Sequence, residues 1–259
     1  LEVEMSEGRF RKWFKVTGNY VGPDDWAHAW FVQNVAQDVS IAVTEHHGFG
    51  TQWYRSQRSG WVMRRFDTEL FRPWMLDDEI LVETWLSKRK RVSVHREYRF
   101  LDARTEEVLG GGRAEWVYID AGTARPIPLA KELEERLAFE PEEGVSPWPE
   151  GVEESLMGEP EACHTRVVGY SELDGYGHVN NTAYLRWISD LVHRGGPGEW
   201  WMRRWRIEYR RPARLGDEVR LELERGEFSP REHLCRIRIR DVADGEELVR
   251  ALVVLAPRA

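Results

Sequence analysis

The sequence predicts an α+β protein made of two copies of one unit, each a long helix followed by a run of antiparallel strands. Three observations carry this. Displaced by 139 positions, residues 60–109 align with 199–248 without a gap and share 15 identities in 50 positions. Strand-like alternation of apolar and charged residues recurs in both copies. A helical apolar stripe precedes those strands in both.

The alignment pairs Trp61, Met63, Arg64 and Arg65 with Trp200, Met202, Arg203 and Arg204. It pairs Glu69, Arg72, Pro73 and Leu76 with Glu208, Arg211, Pro212 and Leu215. Upstream, an offset of 150 pairs Tyr20, Asp24 and His28 with Tyr170, Asp174 and His178, so the first copy carries 11 extra residues. A period this long excludes a solenoid and reads as a duplicated domain.

In the first copy, Phe31, Val35, Val39, Ala42 and Val43 form one helical stripe, ended by Gly48 and Gly50. Val94, Tyr98 and Phe100, then Ala114, Trp116 and Tyr118, alternate as strands. In the second copy the stripe is Tyr184, Leu185, Ile188, Leu191 and Val192, ended by Gly195-Gly196-Pro197. Val219, Leu221 and Leu223, then Cys235, Ile237 and Ile239, alternate with charged residues. A curved sheet whose concave face covers one helix satisfies both patterns. The expected division is 1–139, an acidic linker at 140–161, and 162–259. The linker holds eight Glu and four Pro with no basic residue. It is expected to be extended, or anchored across one domain by Trp148 and Leu156.

Composition narrows the function. Among 259 residues, 37 Lys+Arg face 45 Asp+Glu, a net charge of −8, which argues against bulk nucleic-acid binding. No apolar run approaches the roughly 20 residues needed to span a bilayer. The N-terminal stretch lacks the apolar core of a signal peptide, so a soluble cytoplasmic protein is expected. Cys163 and Cys235 are too few for a disulfide framework or a four-cysteine zinc site. His46-His47 reads as a helix end, and no metal site is expected. Thirteen Trp must pack together, line a pocket, or both.

The stretch with chemical content is SELDGYGHVNNTAYLRWISD, residues 171–190. Asp174 and His178 stand four apart in a loop, and Asn180 or Asn181 starts the helix. A helix N-terminus offers N–H groups and partial positive charge to a carbonyl. A carboxylate beside it can activate water or attack directly. The same residues also suit ordinary helix capping.

D-x-x-G-H-V-N-N before an aromatic-rich helix resembles the hotdog-fold thioesterases. Together with HHGFG, TELFRPWMLDDEILVETW and EYRRPARLGDEV, nearly the whole chain resembles the double-hotdog acyl-acyl carrier protein thioesterases of plants and bacteria. The resemblance implies two tandem hotdog domains forming an internal pseudo-dimer, with catalysis in the second. It implies hydrolysis of an acyl-carrier thioester to a free fatty acid, without cofactor or metal. Acyl-coenzyme A hydrolysis and non-catalytic acyl or carrier binding stand as alternatives.

The family pattern Asp-x-Asn-x-His-Val-Asn-Asn maps its Asp to Asp174 and its His to His178. Its Asn falls on Tyr176, and a Glu-Cys pair falls on Pro212 and Ala213. The expected catalytic set is therefore Asp174 and His178, with Asn180 and Asn181 at the helix start and the Tyr176 phenol as a substitute donor. Asp24 and His28 read as a degenerate counterpart, since Trp30 and Phe31 replace the two Asn. Trp26, Trp30, Phe31, Phe49 and Trp53 are expected to line the acyl chain, or to be plain core. Arg203, Arg204, Arg206, Arg210, Arg211 and Arg214, with Lys88–Arg91, are expected to dock an acidic carrier or coenzyme A phosphates, or to pair with neighbouring Glu. The chain would be a monomer or a homodimer.

Overall fold

A computed structural model describes residues 3–6, 9–152, 159–193 and 200–257. The chain divides into two compact units: 1–27 with 32–146, and 28–31 with 147–259. The expected helix end at Gly195-Gly196-Pro197 and the expected anchor Leu156 lie outside the described residues.

Unit 1 runs β1 (Val3–Ser6), β2 (Arg9–Lys15), α1 (Ala29–His46), α2 (Thr51–Ser56), β3 (Ser59–Leu70), β4 (Glu79–Arg89), β5 (Ser93–Asp102), β6 (Val108–Asp120) and α3 (Lys131–Arg136). Its strands lie in the order β1-β2-β4-β5-β6-β3, every pair antiparallel. The α1 stripe is buried, with Val35 and Val39 at 0% exposure, while Ala42 is only half-buried. The C-terminal turn of α1 closes through Gly48 N–H to Glu45 O at 2.9 Å and Phe49 N–H to Thr44 O at 2.8 Å.

Strand alternation sets the two faces of this sheet. On β5, Val94, Arg96, Tyr98 and Phe100 share the face turned to α1, where the Tyr98 hydroxyl meets Ser40 Oγ at 2.7 Å. Glu97 points the other way, fully buried, and accepts from Arg113 Nε at 2.7 Å, Gly144 N–H at 2.9 Å and Ser87 Oγ at 2.5 Å. Those three donors are what make a buried carboxylate tolerable.

The start of the acidic segment is tied to this outer face. Glu140 N–H donates to Leu86 O at 2.8 Å, and Trp85 Nε1 donates to Glu142 O at 2.9 Å. Arg9 pairs with Glu140 and Glu142, and Arg99 with Glu142. Gly111 and Gly144 meet backbone to backbone: a Cβ on Gly111 would lie 1.8 Å from Gly144 O. Only glycine permits that approach.

Unit 2 runs β7 (Ala162–Val167), α4 (Asn181–Val192), β8 (Trp200–Tyr209), β9 (Glu218–Ser229), β10 (Glu232–Asp241) and β11 (Glu247–Pro257). Its strands lie in the antiparallel order β8-β11-β10-β9-β7. Val219, Leu221, Leu223, Cys235, Ile237 and Ile239 are buried at 0–1% exposure, as the alternation predicts. Their charged neighbours pair on the opposite face, Arg236 and Arg238 with Glu224, and Arg240 with Glu222. Trp148, from the later acidic segment, packs on Leu234, Leu252 and Val254. Among the described residues no helix is long and apolar enough to cross a membrane.

Candidate active site

The loop Leu173–Val179 folds back on itself. Leu173 and Val179 form an antiparallel bridge, Asp174 N–H donates to His178 O at 2.8 Å, and Gly177 N–H donates to Asp174 O at 3.0 Å. Gly177 holds φ +73°, the left-handed conformation that this turn needs and that glycine adopts without strain. Inside the turn, Asp174 Oδ1 accepts from Tyr176 N–H at 2.8 Å and from His178 N–H at 3.3 Å. Among the described residues, Oδ2 of the half-buried Asp174 makes no hydrogen bond. One carboxylate oxygen thus fixes the group and the other is presented.

α4 follows at once. Asn180 is its N-cap: Oδ1 accepts from Thr182 N–H at 2.9 Å and from Thr182 Oγ1 at 2.7 Å. The Ala183 N–H goes to Asn180 O at 2.9 Å. Two first-turn donors are therefore spent on the cap itself. The Asn181 carbonyl accepts from the Tyr209 hydroxyl at 3.2 Å.

The loop is held from three sides. Asn180 N–H donates to Glu172 O at 2.8 Å, and the Glu172 carboxylate takes Gly169 N–H at 2.8 Å and Trp187 Nε1 at 2.7 Å, with Arg166 paired to it. Val179 N–H donates to Ala213 O at 2.9 Å. Ala213 is fully buried, and its N–H donates to the Tyr184 phenol oxygen at 3.0 Å. Burial pushes the Tyr184 phenol up to about 12, with the negative charges of Asp217 and Asp174 acting the same way and the Ala213 N–H opposing.

The sequence reading took Tyr184 only as part of the α4 stripe and missed Glu172. Their partners lie elsewhere in the chain, Ala213 for Tyr184 and Trp187 for Glu172, so no local motif names them. Tyr176, expected to offer its phenol, stands at the loop tip and is 71% exposed. In the first copy, Asp24 Oδ1 accepts Trp26 N–H at 3.2 Å, the counterpart of the Asp174–Tyr176 bond. His28 stacks on Trp30 at 5.8 Å, and the Arg186 guanidinium lies 4.1 Å over the same ring.

Phe49 and Trp53 meet edge to face at 4.8 Å within a cluster of unit 1, whereas Trp30 and Phe31 fall in unit 2. Trp26 is buried at the bridge to Met75. Five of the six arginines are engaged. Arg203 pairs with Glu232, Arg210 with Glu208 and Glu247, and Arg211 with Asp241 and Asp244. Arg204 and Arg206 lie over the Trp148 ring. Arg214 is exposed beside the loop. In the 88–91 run, Arg89 pairs with Glu134 and Lys90 with Glu115. Among the described residues no cluster of His, Cys, Asp and Glu could hold a metal.

Two tandem units, each a long helix on an antiparallel sheet, the second with an Asp-His loop at its helix start, define a double-hotdog protein. Solved structures share this fold. A 12:0-ACP thioesterase from Umbellularia californica superposes with TM-score 0.80 at 20% identity, covering 96% of this chain and 94% of that one. An acyl-ACP thioesterase from Bacteroides thetaiotaomicron gives TM-score 0.75 at 22% identity, covering 97% and 100%.

The chain belongs to the acyl-ACP thioesterase family: the family's N-terminal domain matches residues 7–137 and its C-terminal domain residues 159–253. A curated relative, the chloroplastic oleoyl-acyl carrier protein thioesterase of Coriandrum sativum, is 28% identical over 198 residues, 71% of this chain and 53% of its own length. The chain spans about half the length of the curated relatives it matches.

Proposed function

We propose that this protein hydrolyses the thioester of acyl-acyl carrier protein and releases a free fatty acid. The supporting observation is the Asp174 carboxylate, fixed through Oδ1 by two backbone N–H groups with Oδ2 unengaged among the described residues. Family membership and the names of the relatives support the same reaction.

In the proposed mechanism, Asp174 Oδ2 takes a proton from water as the water oxygen attacks the carbonyl carbon. The C–S bond then breaks, and the leaving thiolate takes up the proton that Asp174 received from water, relayed by His178 four residues along the same turn, so that both side chains return to their starting states. Catalysis of this kind needs the base positioned before substrate arrives, which the two N–H bonds provide. Asn180 and Asn181 set the start of α4, so their role is to place the helix end near the carbonyl. Tyr176 would meet the carrier arm at the rim, with its phenol in solvent. Arg214, exposed and next to the Ala213 whose carbonyl holds Val179, is the first candidate to meet an acidic carrier. Residues 1–139 and 162–259 are read as the acyl-binding and catalytic domains, and Trp26, Trp30, Phe31, Phe49 and Trp53 remain the candidate acyl contacts. A cytoplasmic site of action follows the sequence reading; the plant relatives named in the comparison are chloroplastic.

Thiol release measured with a ladder of acyl chains, each on acyl carrier protein and on coenzyme A, tests the reading. Faster turnover on the carrier protein is expected. Faster turnover on coenzyme A would reassign the carrier, and tight binding without thiol release would make the protein a binding module.

A further inference from the structure

Four large side chains of unit 2 stand in solvent around the Asp174 turn: Val167 at 60% exposure, Tyr170 at 82%, Leu215 at 56%, and Tyr176 at the loop tip. The backbone gathers them. Val168 N–H donates to Asp217 O at 2.9 Å and Gly216 N–H to Val168 O at 3.1 Å, which sets the Leu215 turn beside the end of β7. Leu173 N–H donates to Tyr170 O at 3.2 Å, and Val179 N–H to Ala213 O at 2.9 Å, which ties both segments to the Asp174 turn. Singly exposed apolar residues are ordinary, whereas several gathered on joined segments mark a surface that meets another molecule.

The fold does not demand this exposure. In unit 1 the equivalent loop tucks its rings away: Trp26, the counterpart of Tyr176, is 8% exposed, and Tyr20, the counterpart of Tyr170, is half-buried. The copy that presents the Asp174 carboxylate is the one that presents the apolar groups. Arg214 borders them. Its N–H donates to Asp217 Oδ2 at 2.8 Å, and its exposed guanidinium meets no carboxylate among the described residues. An unengaged cation beside tyrosine, leucine and valine suits a partner that is acidic and also carries apolar side chains. A thioester that reaches the Asp174 turn on the arm of a protein carrier brings the carrier's own surface against these segments.

We propose that Val167, Tyr170 and Leu215, with Arg214 at their edge, form the surface on which the protein part of an acidic acyl carrier docks. The proposal rests on the reading of the Asp174 turn as the place where the carried thioester is cleaved.

The test uses the full chain. Wild type and the triple variant Val167→Ser, Tyr170→Ser, Leu215→Ser are assayed with one acyl group on acyl carrier protein and on coenzyme A. Both are also titrated with fluorescently labelled holo-carrier, which has no thioester to cleave. In the variant, KM for the carrier substrate and the holo-carrier Kd should rise ~10-fold or more, as expected when a tyrosine and its apolar neighbours are truncated at an interface. Its kcat, its coenzyme A kinetics and its Tm should match wild type. Arg214→Glu, a single surface change, should weaken holo-carrier binding as well. An unchanged holo-carrier Kd in the triple variant would overturn the proposal. So would an equal rise of KM on both substrates, which would place the effect in the catalytic turn. A wild-type dimer, or wild-type binding to phosphatidylcholine vesicles, that the triple variant abolishes while keeping its affinity for the carrier would give the surface to a second copy or to lipid and overturn it too. Wild type that binds holo-carrier through these residues yet cleaves no thioester would support the surface and refute the hydrolase reading.

Discussion

Replacing Tyr184 with Phe removes one oxygen from the interior of unit 2 and tests how the catalytic loop is held. That oxygen accepts the N–H of Ala213, which is fully buried, while Ala213 O accepts the N–H of Val179, next to His178. Without the hydroxyl, the Ala213 N–H has no acceptor and no water. An orphaned buried donor costs about 1–3 kcal/mol, which for a chain of this size lowers Tm by about 2–10 °C. The strain falls on the segment that sets the height of the loop, so kcat should drop more than KM changes. A displacement of about 1 Å at a reacting group is enough for a loss of order 100-fold. Circular-dichroism melting gives the first quantity and thiol release the second. If Tyr184→Phe melted with wild type and turned over at the wild-type rate, the proposed link from α4 through Ala213 to the loop would be wrong.

Asn180→Ala should cost about 1–2 kcal/mol through loss of the α4 cap, whereas Asn180→Asp should recover most of it; urea unfolding compares the two. Gly111→Ala should destabilise unit 1 by more than about 2 kcal/mol, because the new methyl would collide with Gly144 O and the clashing atoms on both sides are backbone. Limited proteolysis should then cut within 140–152 of the variant and spare that segment in wild type. Burial pushes both the Cys235 thiol and the Tyr184 phenol up to about 12, from ordinary values of 9.0 and 10.0. Folded values above unfolded ones mean that their contribution is full below pH 9 and is lost as pH rises from about 9 to 12, by about 4 kcal/mol for the thiol. Cys235→Ser should flatten that alkaline loss in urea midpoints, and the native chain should show one thiol, Cys163, to an aromatic disulfide reagent.

Duplication and strand alternation are written along the chain, so the fold was legible from sequence. Val219, Leu221 and Leu223 could be sorted to the core face because period-2 alternation survives the duplication. The turn of Asp174 was legible for a similar reason, since Asp, Gly177 and an Asn cap are local signals. What was missed depends on residues distant in sequence. Tyr184 meets Ala213 across 29 positions, and Gly144 reaches Glu97 across 47. The Gly110-Gly111-Gly112 run was a local sign that backbone must pass close to β6, although nothing local names residue 144 as the partner. The arginine-rich stretch suited either docking or pairing with neighbouring acids, and in the structure Arg203 pairs with Glu232, Arg210 with Glu247 and Arg211 with Asp241, while Arg204 lies over the Trp148 ring.

The central claim is that the Asp174 carboxylate cleaves the thioester. Asparagine at this position keeps an oxygen to accept the Tyr176 and His178 N–H groups, so Asp174→Asn leaves the turn intact and removes the base. Thiol release from an acyl-acyl carrier protein, measured for wild type and Asp174→Asn side by side with their melting curves, is the most direct test. A rate lower by about 100-fold or more at an unchanged Tm is predicted. An Asp174→Asn protein that hydrolyses at the wild-type rate would contradict it.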